Sequence, residues 1–390
     1  MYITREIEKT VVLLAAQYPI VTITGPRQSG KTTLVKKLFP EKPYFSLENP
    51  DLRETVQSDP RAFLNRIQQG AILDEVQRVP EFFSYLQEVV DSRPLKGQYI
   101  LTGSNQFALL NSLTQSLAGR TVLLKLLPLT INELEKQTGG ASTDDYLLNG
   151  FYPAIYGDRL NPSITYRSYY ETYIERDLRQ LIHIKDLLQF QRFVRLCAGR
   201  VGQVFNASSL ANEVGTSAVT IKSWLSILQA SYIVMLLPPY FENFGKRLIK
   251  AAKLYFYDVG LATYLLGIES TQQLARDPLR GALFENMVLM ELIKTRTNRG
   301  LDPQFHFYRD NHQNEIDILF KRGSDLLPVE IKSAQTFHAD FLKGLRYLQK
   351  IMPERFKEGY LVYDGQIEQK IDTFDLVNFR RAAPVIFPPA

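Results

Sequence analysis

The stretch that decides the fold is Gly25–Thr33, GPRQSGKTT, which follows the apolar run Pro19–Thr24, PIVTIT. It satisfies G-x-x-x-x-G-K-[ST] in full. Gly25 and Gly30 let the backbone wrap a phosphate chain, so that N–H groups at the start of the next helix point inward. The whole loop, Gly25, Pro26, Arg27, Gln28, Ser29, Gly30, Lys31, Thr32 and Thr33, reads as nucleotide-binding. Lys31 would reach the β- and γ-phosphates, and Thr32 would ligate Mg²⁺. With a strand in front and the amphipathic Leu34–Leu38 behind, a chance loop is a poor account of the match, and binding of ATP or GTP follows.

About 40 residues on, Ala71–Gln77 (AILDEVQ) supplies a short apolar strand ending in adjacent acids. Asp74 would hold the Mg²⁺ water shell and Glu75 would polarise the attacking water. A third strand, Gln98–Asn105 (QYILTGSN), is expected beside it, with the γ-phosphate sensor one of Thr102, Ser104 or Asn105. A helical stretch from Phe107 to Ala118 leads to Arg120 and a final strand beginning at Thr121. Arg120 would serve as an arginine finger on a neighbouring subunit's nucleotide.

This order of elements resembles the AAA+ ATPase superfamily. The chain as a whole resembles the bacterial and archaeal AAA+ proteins with a C-terminal DUF4143 region, through LDEVQ (Leu73–Gln77), LTGS (Leu101–Ser104), LAGR (Leu117–Arg120), YIERD (Tyr173–Asp177) and VEIK (Val329–Lys332). The likeness runs over nearly the full length. It implies an α/β fold with a parallel-sheet P-loop core, Mg²⁺ and ATP as cofactors, and a homo-oligomer such as a hexamer.

Composition suits such a machine. At 390 residues, 45% apolar and 22% charged, the chain is long enough for two or three domains and too apolar to be largely disordered. A net charge of +5 permits nucleic acid as a partner. Cys197 is the sole cysteine, which excludes an internal disulfide and a thiolate metal cluster and fits a reducing cytoplasm. The N-terminus lacks the apolar core of a signal sequence, and no apolar run approaches membrane-spanning length.

Punctuation divides the chain into an ATPase core (1–135), a helical region (136–200), a winged helix-turn-helix (201–270) and a C-terminal α/β domain (271–390). In the helical region, Arg176 and Arg179 rival Arg120 as fingers, although Glu175 and Arg179 are spaced for an i,i+4 pair. In the third segment, Asn206–Gly215 predicts a capped helix ending in glycine, and Thr216–Leu228 a second one. On a DNA-binding reading Ser217, Thr220, Lys222 and Ser223 face a groove while Lys246 and Arg247 meet phosphate. The same module could equally serve packing alone.

The last segment predicts an amphipathic helix over Gly281–Leu292 carrying Glu285, then strands at Phe305–Tyr308, Glu315–Phe320 and Leu327–Lys332, with a turn at Arg322–Asp325. Asp317 precedes Glu330 and Lys332 by 13 and 15 residues. This pattern resembles the PD-(D/E)xK nuclease fold, which implies that Glu285, Asp317 and Glu330 hold Mg²⁺ and that Lys332 orients water. Period-2 alternation puts Glu330 and Lys332 on one strand face, where they can also neutralise each other. The leading function is an oligomeric ATPase that remodels or translocates on DNA, branched DNA included. An ATP-regulated endonuclease and a nucleotide-dependent switch for a protein partner are the alternatives.

Overall fold

The computed structural model describes residues 1–93, 95–104, 116–173, 186–240 and 251–388. Five parallel strands form the first sheet: β1 (Ile20–Thr24), β2 (Tyr44–Ser46), β3 (Ala71–Asp74), β4 (Tyr99–Gly103) and β5 (Thr121–Lys125), in the order β2-β3-β4-β1-β5. Their near-continuous apolar runs suit strands covered on both faces. Alternation divides the side chains between two layers. Val21, Ile23, Ile72, Ile100 and Leu124 pack with the helices Glu8–Ala15 and Lys31–Leu38. Ile20, Ala71, Leu73, Tyr99 and Leu101 pack with the helices Pro60–Arg66 and Phe82–Ser92. Because all strands run one way, the loops after β1, β3 and β4 gather at a single edge, where ligands bind in sheets of this kind.

Helix caps then punctuate the chain. Thr130 and Glu133 form a reciprocal capping box on the helix Ile131–Thr138, and Ser142 with Asp145 does so on Thr143–Asn149. Three further helices, Leu187–Ala198, Ala207–Val214 and Ala218–Ala230, lead into an antiparallel hairpin of β6 (Val234–Leu237) and β7 (Lys253–Phe256). Asn206 accepts hydrogen bonds from the N–H groups of Ser208 and Ser209, and Gly215, at φ 82°, closes that helix in the left-handed region. Trp224 joins the first and third of these helices, its ring 5.5 Å from Phe190 and 5.7 Å from Phe193.

The C-terminal sheet has six strands: β8 (Phe305–Arg309), β9 (Glu315–Arg322), β10 (Asp325–Lys332), β11 (Gly359–Tyr363), β12 (Gln369–Ile371) and β13 (Phe374–Asn378), ordered β12-β13-β11-β10-β9-β8. β8, β9 and β10 form an antiparallel meander with its second turn at Gly323, while β11 and β13 run parallel to β10.

The helix Arg280–Asn298 corrects the amphipathic expectation, because nearly every residue from Leu283 to Asn298 is buried, including Asn286, Glu291 and Lys294. Each polar group has a backbone partner elsewhere. The Asn286 amide bonds both the N–H and the carbonyl of Phe256, Glu291 accepts from the Ile131 N–H, and Lys294 Nζ donates to the Leu129 carbonyl at 2.7 Å. One hydrophobic cluster accordingly runs from Ile3 through the helices and hairpin to Phe387. Among the described residues no helix is long and apolar enough to cross a membrane.

Lys294 and Glu291 are 3.8 Å apart and almost fully buried, so removing one leaves the other charge uncompensated. Lys294→Met is expected to destabilise the protein by about 3–5 kcal/mol. Lys294→Met combined with Glu291→Gln should cost clearly less. Thermal unfolding of wild type, both single variants and the double variant checks this, and a double-variant loss equal to the sum of the two single losses would show that the pair is not coupled.

Candidate nucleotide-binding site

The loop after β1 is set by backbone that tolerates no side chain at its first glycine. Gly25 lies at φ 148°, and a Cβ there would meet the Leu126 carbonyl oxygen at 2.1 Å. Lys31 folds back over this loop, donating to the carbonyls of Gly25 at 3.0 Å and Pro26 at 2.7 Å. Burial lowers its pKa to about 8 against the opposing pull of Glu75 and Asp74.

Asp74, at the end of β3, is buried and collects three hydroxyls. Thr32 and Tyr44 donate to Oδ2 at 2.9 and 2.6 Å, and Thr102 donates to Oδ1. Glu75 follows at φ 55°, a strained conformation for a non-glycine residue, and its Oε2 accepts from Ser104 Oγ at 3.0 Å and from the Gln77 amide. Thr102 and Ser104, two of the three sensor candidates, therefore reach the two acids from one face of β4 and its continuation. The third, Asn105, lies outside the described residues.

A cavity of about 700 Å³ opens over this edge, lined by Lys31, Thr32, Glu75 and Ser104 on one side and by Tyr2, Ile3, Pro153, Tyr169 and Tyr173 on the other. Arg27 caps it, its guanidinium 4.8 Å from the Tyr173 ring centre. Arg5, which the sequence reading passed over, is only 5% exposed and braces the loop from behind. Its guanidinium bonds the Ser29 carbonyl at 2.9 Å, the Leu127 carbonyl at 2.6 Å and Glu133 Oε2 at 3.1 Å. The only sequence signal for it was the capping-box glutamate, which names no arginine partner.

Arg120 lies just before β5, whose first residue is in register with the first residue of β1. It therefore sits at the sheet edge opposite its own phosphate loop, a strand length of roughly 17 Å away. Within the chain it makes a bidentate pair with Asp91, at 2.5 and 2.7 Å. Arg176 and Arg179, the rival fingers, lie outside the described residues, as do Lys246 and Arg247.

On the third helix of the three-helix group, Lys222 and Ser223 are exposed, with Val219 and Ser226 beside them. Ser217 and Thr220 are engaged locally: the Ser217 hydroxyl accepts from the Thr220 N–H at 3.0 Å and lies 2.9 Å from its hydroxyl.

The four C-terminal residues do meet, but with an unforeseen neighbour. Lys253, from the first position of β7, places Nζ 3.2 Å from Glu285, 2.5 Å from Glu315 and 4.0 Å from Asp317. Lys332 pairs with Glu330 at 2.6 Å, and Asp317 accepts from the Ile331 N–H at 2.8 Å. Burial and then the Asp317 charge push the carboxyls of Glu285 and Glu330 well above the usual range. Among the described residues no group of three or more His, Cys, Asp or Glu side chains is arranged to hold a metal ion.

Comparison with known proteins agrees with this geometry. Residues 17–135 match the family described as AAA domain, residues 140–272 a domain of unknown function (DUF8612), and residues 280–381 a second such domain (DUF4143). The chain is 32% identical to the uncharacterized protein Rv2008c of Mycobacterium tuberculosis, covering 82% of this chain and 71% of that protein. It is 23% identical to an uncharacterized protein of Haemophilus influenzae, covering 80% and 82% respectively. Among solved structures, the Walker-type ATPase of Pyrococcus abyssi is similar with a TM-score of 0.45 and 14% identity, covering 68% of this chain and 96% of that one. The phosphate loop, the Asp74–Glu75 pair and the match over residues 17–135 make the protein an ATP hydrolase of the AAA type, and the chain belongs to the family of Rv2008c.

Proposed function

We propose that the protein is a self-assembling, Mg²⁺-dependent ATPase that engages DNA and uses nucleotide-driven changes at subunit boundaries to remodel it or move along it. The observation that carries this reading is the two-ended sheet. Lys31, Thr32, Asp74, Glu75, Thr102 and Ser104 converge at one edge, and Arg120 stands at the other, unable to serve its own loop.

Thr32 and Asp74 present adjacent oxygen donors 2.9 Å apart, a set that suits Mg²⁺. When bound, Mg²⁺ would neutralise charge on the phosphates. Lys31 leaves the loop carbonyls for the β- and γ-phosphates, Glu75 orients and polarises the attacking water, and Ser104 fixes the Glu75 carboxylate. Arg120 exchanges Asp91 for a neighbour's γ-phosphate as the interface closes.

In this reading 1–135 form the motor, 136–200 the connecting helices, 201–270 a winged helix and 271–390 a nuclease-like fold. The exposed Lys222 and Ser223 favour the second helix of the winged module as the DNA-facing surface, with Lys246 and Arg247 as phosphate contacts. The endonuclease alternative is disfavoured by Lys253, which stands among the carboxylates that cleavage would need.

Three outcomes test this reading. Lys31→Ala should abolish tight ATP binding, whereas Glu75→Gln should bind ATP yet turn it over at least ~100-fold more slowly; full turnover in Glu75→Gln would remove Glu75 as the base. Arg120→Ala should keep ATP binding and lose hydrolysis. Titrating it against Lys31→Ala protein should restore part of the activity through mixed interfaces, and no recovery at any ratio would exclude action in trans. Gel shifts with linear and branched DNA should show salt-sensitive binding that Lys222→Glu weakens; absence of any DNA binding would point to a protein partner instead.

A further inference from the structure

Lys253 opens β7, the second strand of the hairpin, yet its side chain is only 2% exposed because it crosses into the C-terminal module. There its ammonium meets Glu315 at 2.5 Å, Glu285 at 3.2 Å and Asp317 at 4.0 Å. Tyr255, two residues along and on the same face, donates its hydroxyl to Glu285. On the far side, Lys332 occupies Oε1 of Glu330, while Oε2 is buried without a hydrogen-bond partner among the described residues.

On the nuclease-like reading of this sheet, Glu285, Asp317 and Glu330 would surround a divalent cation. The residues present do not fit one. The space that Glu285, Glu315 and Asp317 share is filled by the Lys253 ammonium, and Arg309 takes the other oxygen of Glu315 at 3.3 Å. Glu330, held through its other oxygen by Lys332, faces this cluster with Oε2 unpartnered among the described residues.

We propose that Lys253 is a tethered replacement for the divalent cation: its ammonium closes the acidic pocket to metal and clamps the hairpin to the C-terminal sheet. The proposal rests on the nuclease-like reading of the carboxylates and is independent of the ATPase reading. A buried single charge on a covalent stem does two jobs that a free ion cannot combine. It neutralises the acids at any metal concentration, and it fixes the hairpin against the sheet.

The test uses full-length Lys253→Met, with Lys253→Met/Glu315→Gln as a second variant that carries one negative charge fewer around the vacated position and so folds more readily. Thermal midpoints are measured without nucleotide, with and without millimolar Mn²⁺, and Mn²⁺ binding is followed by calorimetry. Wild type should gain no stability from Mn²⁺ at this pocket. Both variants should melt lower than wild type in its absence and recover several degrees in its presence. Adding Asp317→Asn should abolish that recovery.

Two results would overturn the proposal and are separable. Mn²⁺ binding by wild type that disappears on Asp317→Asn would show a live metal site, leaving the nuclease-like reading intact. Folded variants that neither bind Mn²⁺ nor gain stability from it would remove the nuclease-like reading of the carboxylates as well.

Discussion

The buried carboxylate of Asp74 sets the spacing of the nucleotide-binding edge. An ionised group taken out of water must be hydrogen-bonded, at a penalty of several kcal/mol otherwise, and here its partners come from three other places in the chain. Thr32 brings the helix after the phosphate loop, Tyr44 brings β2, and Thr102 brings β4. One carboxylate thus ties the phosphate-loop helix, β2 and β4 to the end of β3. Glu75 inherits its place from that arrangement, since β3 ends at Asp74 and the chain must turn sharply there. Arg5 grips the loop from behind in the same manner, one buried charge satisfied by three separated acceptors.

A second constraint runs along the helix Arg280–Asn298. Glu285 and Asn286 hold the hairpin through Tyr255, Lys253 and the backbone of Phe256. Further along, Glu291 and Lys294 hold the chain leaving the ATPase sheet at Ile131 and Leu129. At its end the Asn298 carbonyl accepts from Thr10 at 2.7 Å. A 19-residue helix spans about 28 Å, so one rigid element touches the hairpin, the ATPase edge and the N-terminal helix. It supplies a continuous packed path between the nucleotide edge and the proposed DNA-facing module.

Features that neighbouring residues determine were legible in the sequence. The phosphate loop, the Asn206 cap, the Gly215 stop and the turn at Gly323 each follow from a few consecutive residue types. Alternation also placed Glu330 beside Lys332. What stayed hidden depends on distant partners. Arg5 and Glu133 are 128 positions apart, and nothing local marks either as buried. Nothing local marks Lys253 as buried either, because its carboxylate partners arrive only when the hairpin docks on β9 and the long helix. Glu291 and Asn286 gave the stretch Gly281–Leu292 an amphipathic look for the same reason: each answers a backbone group across an interface.

The same helix limits how the molecule can be taken apart. A fragment ending after the parallel sheet would leave the Ile131 N–H and the Leu129 carbonyl without Glu291 and Lys294, and would expose the apolar surface that Leu127, Leu129 and Ile131 bury in the shared core. Motifs that look modular along the chain thus share one packed core, and truncation would uncover part of it. Chimeras between relatives would have to exchange this helix together with the segment it grips.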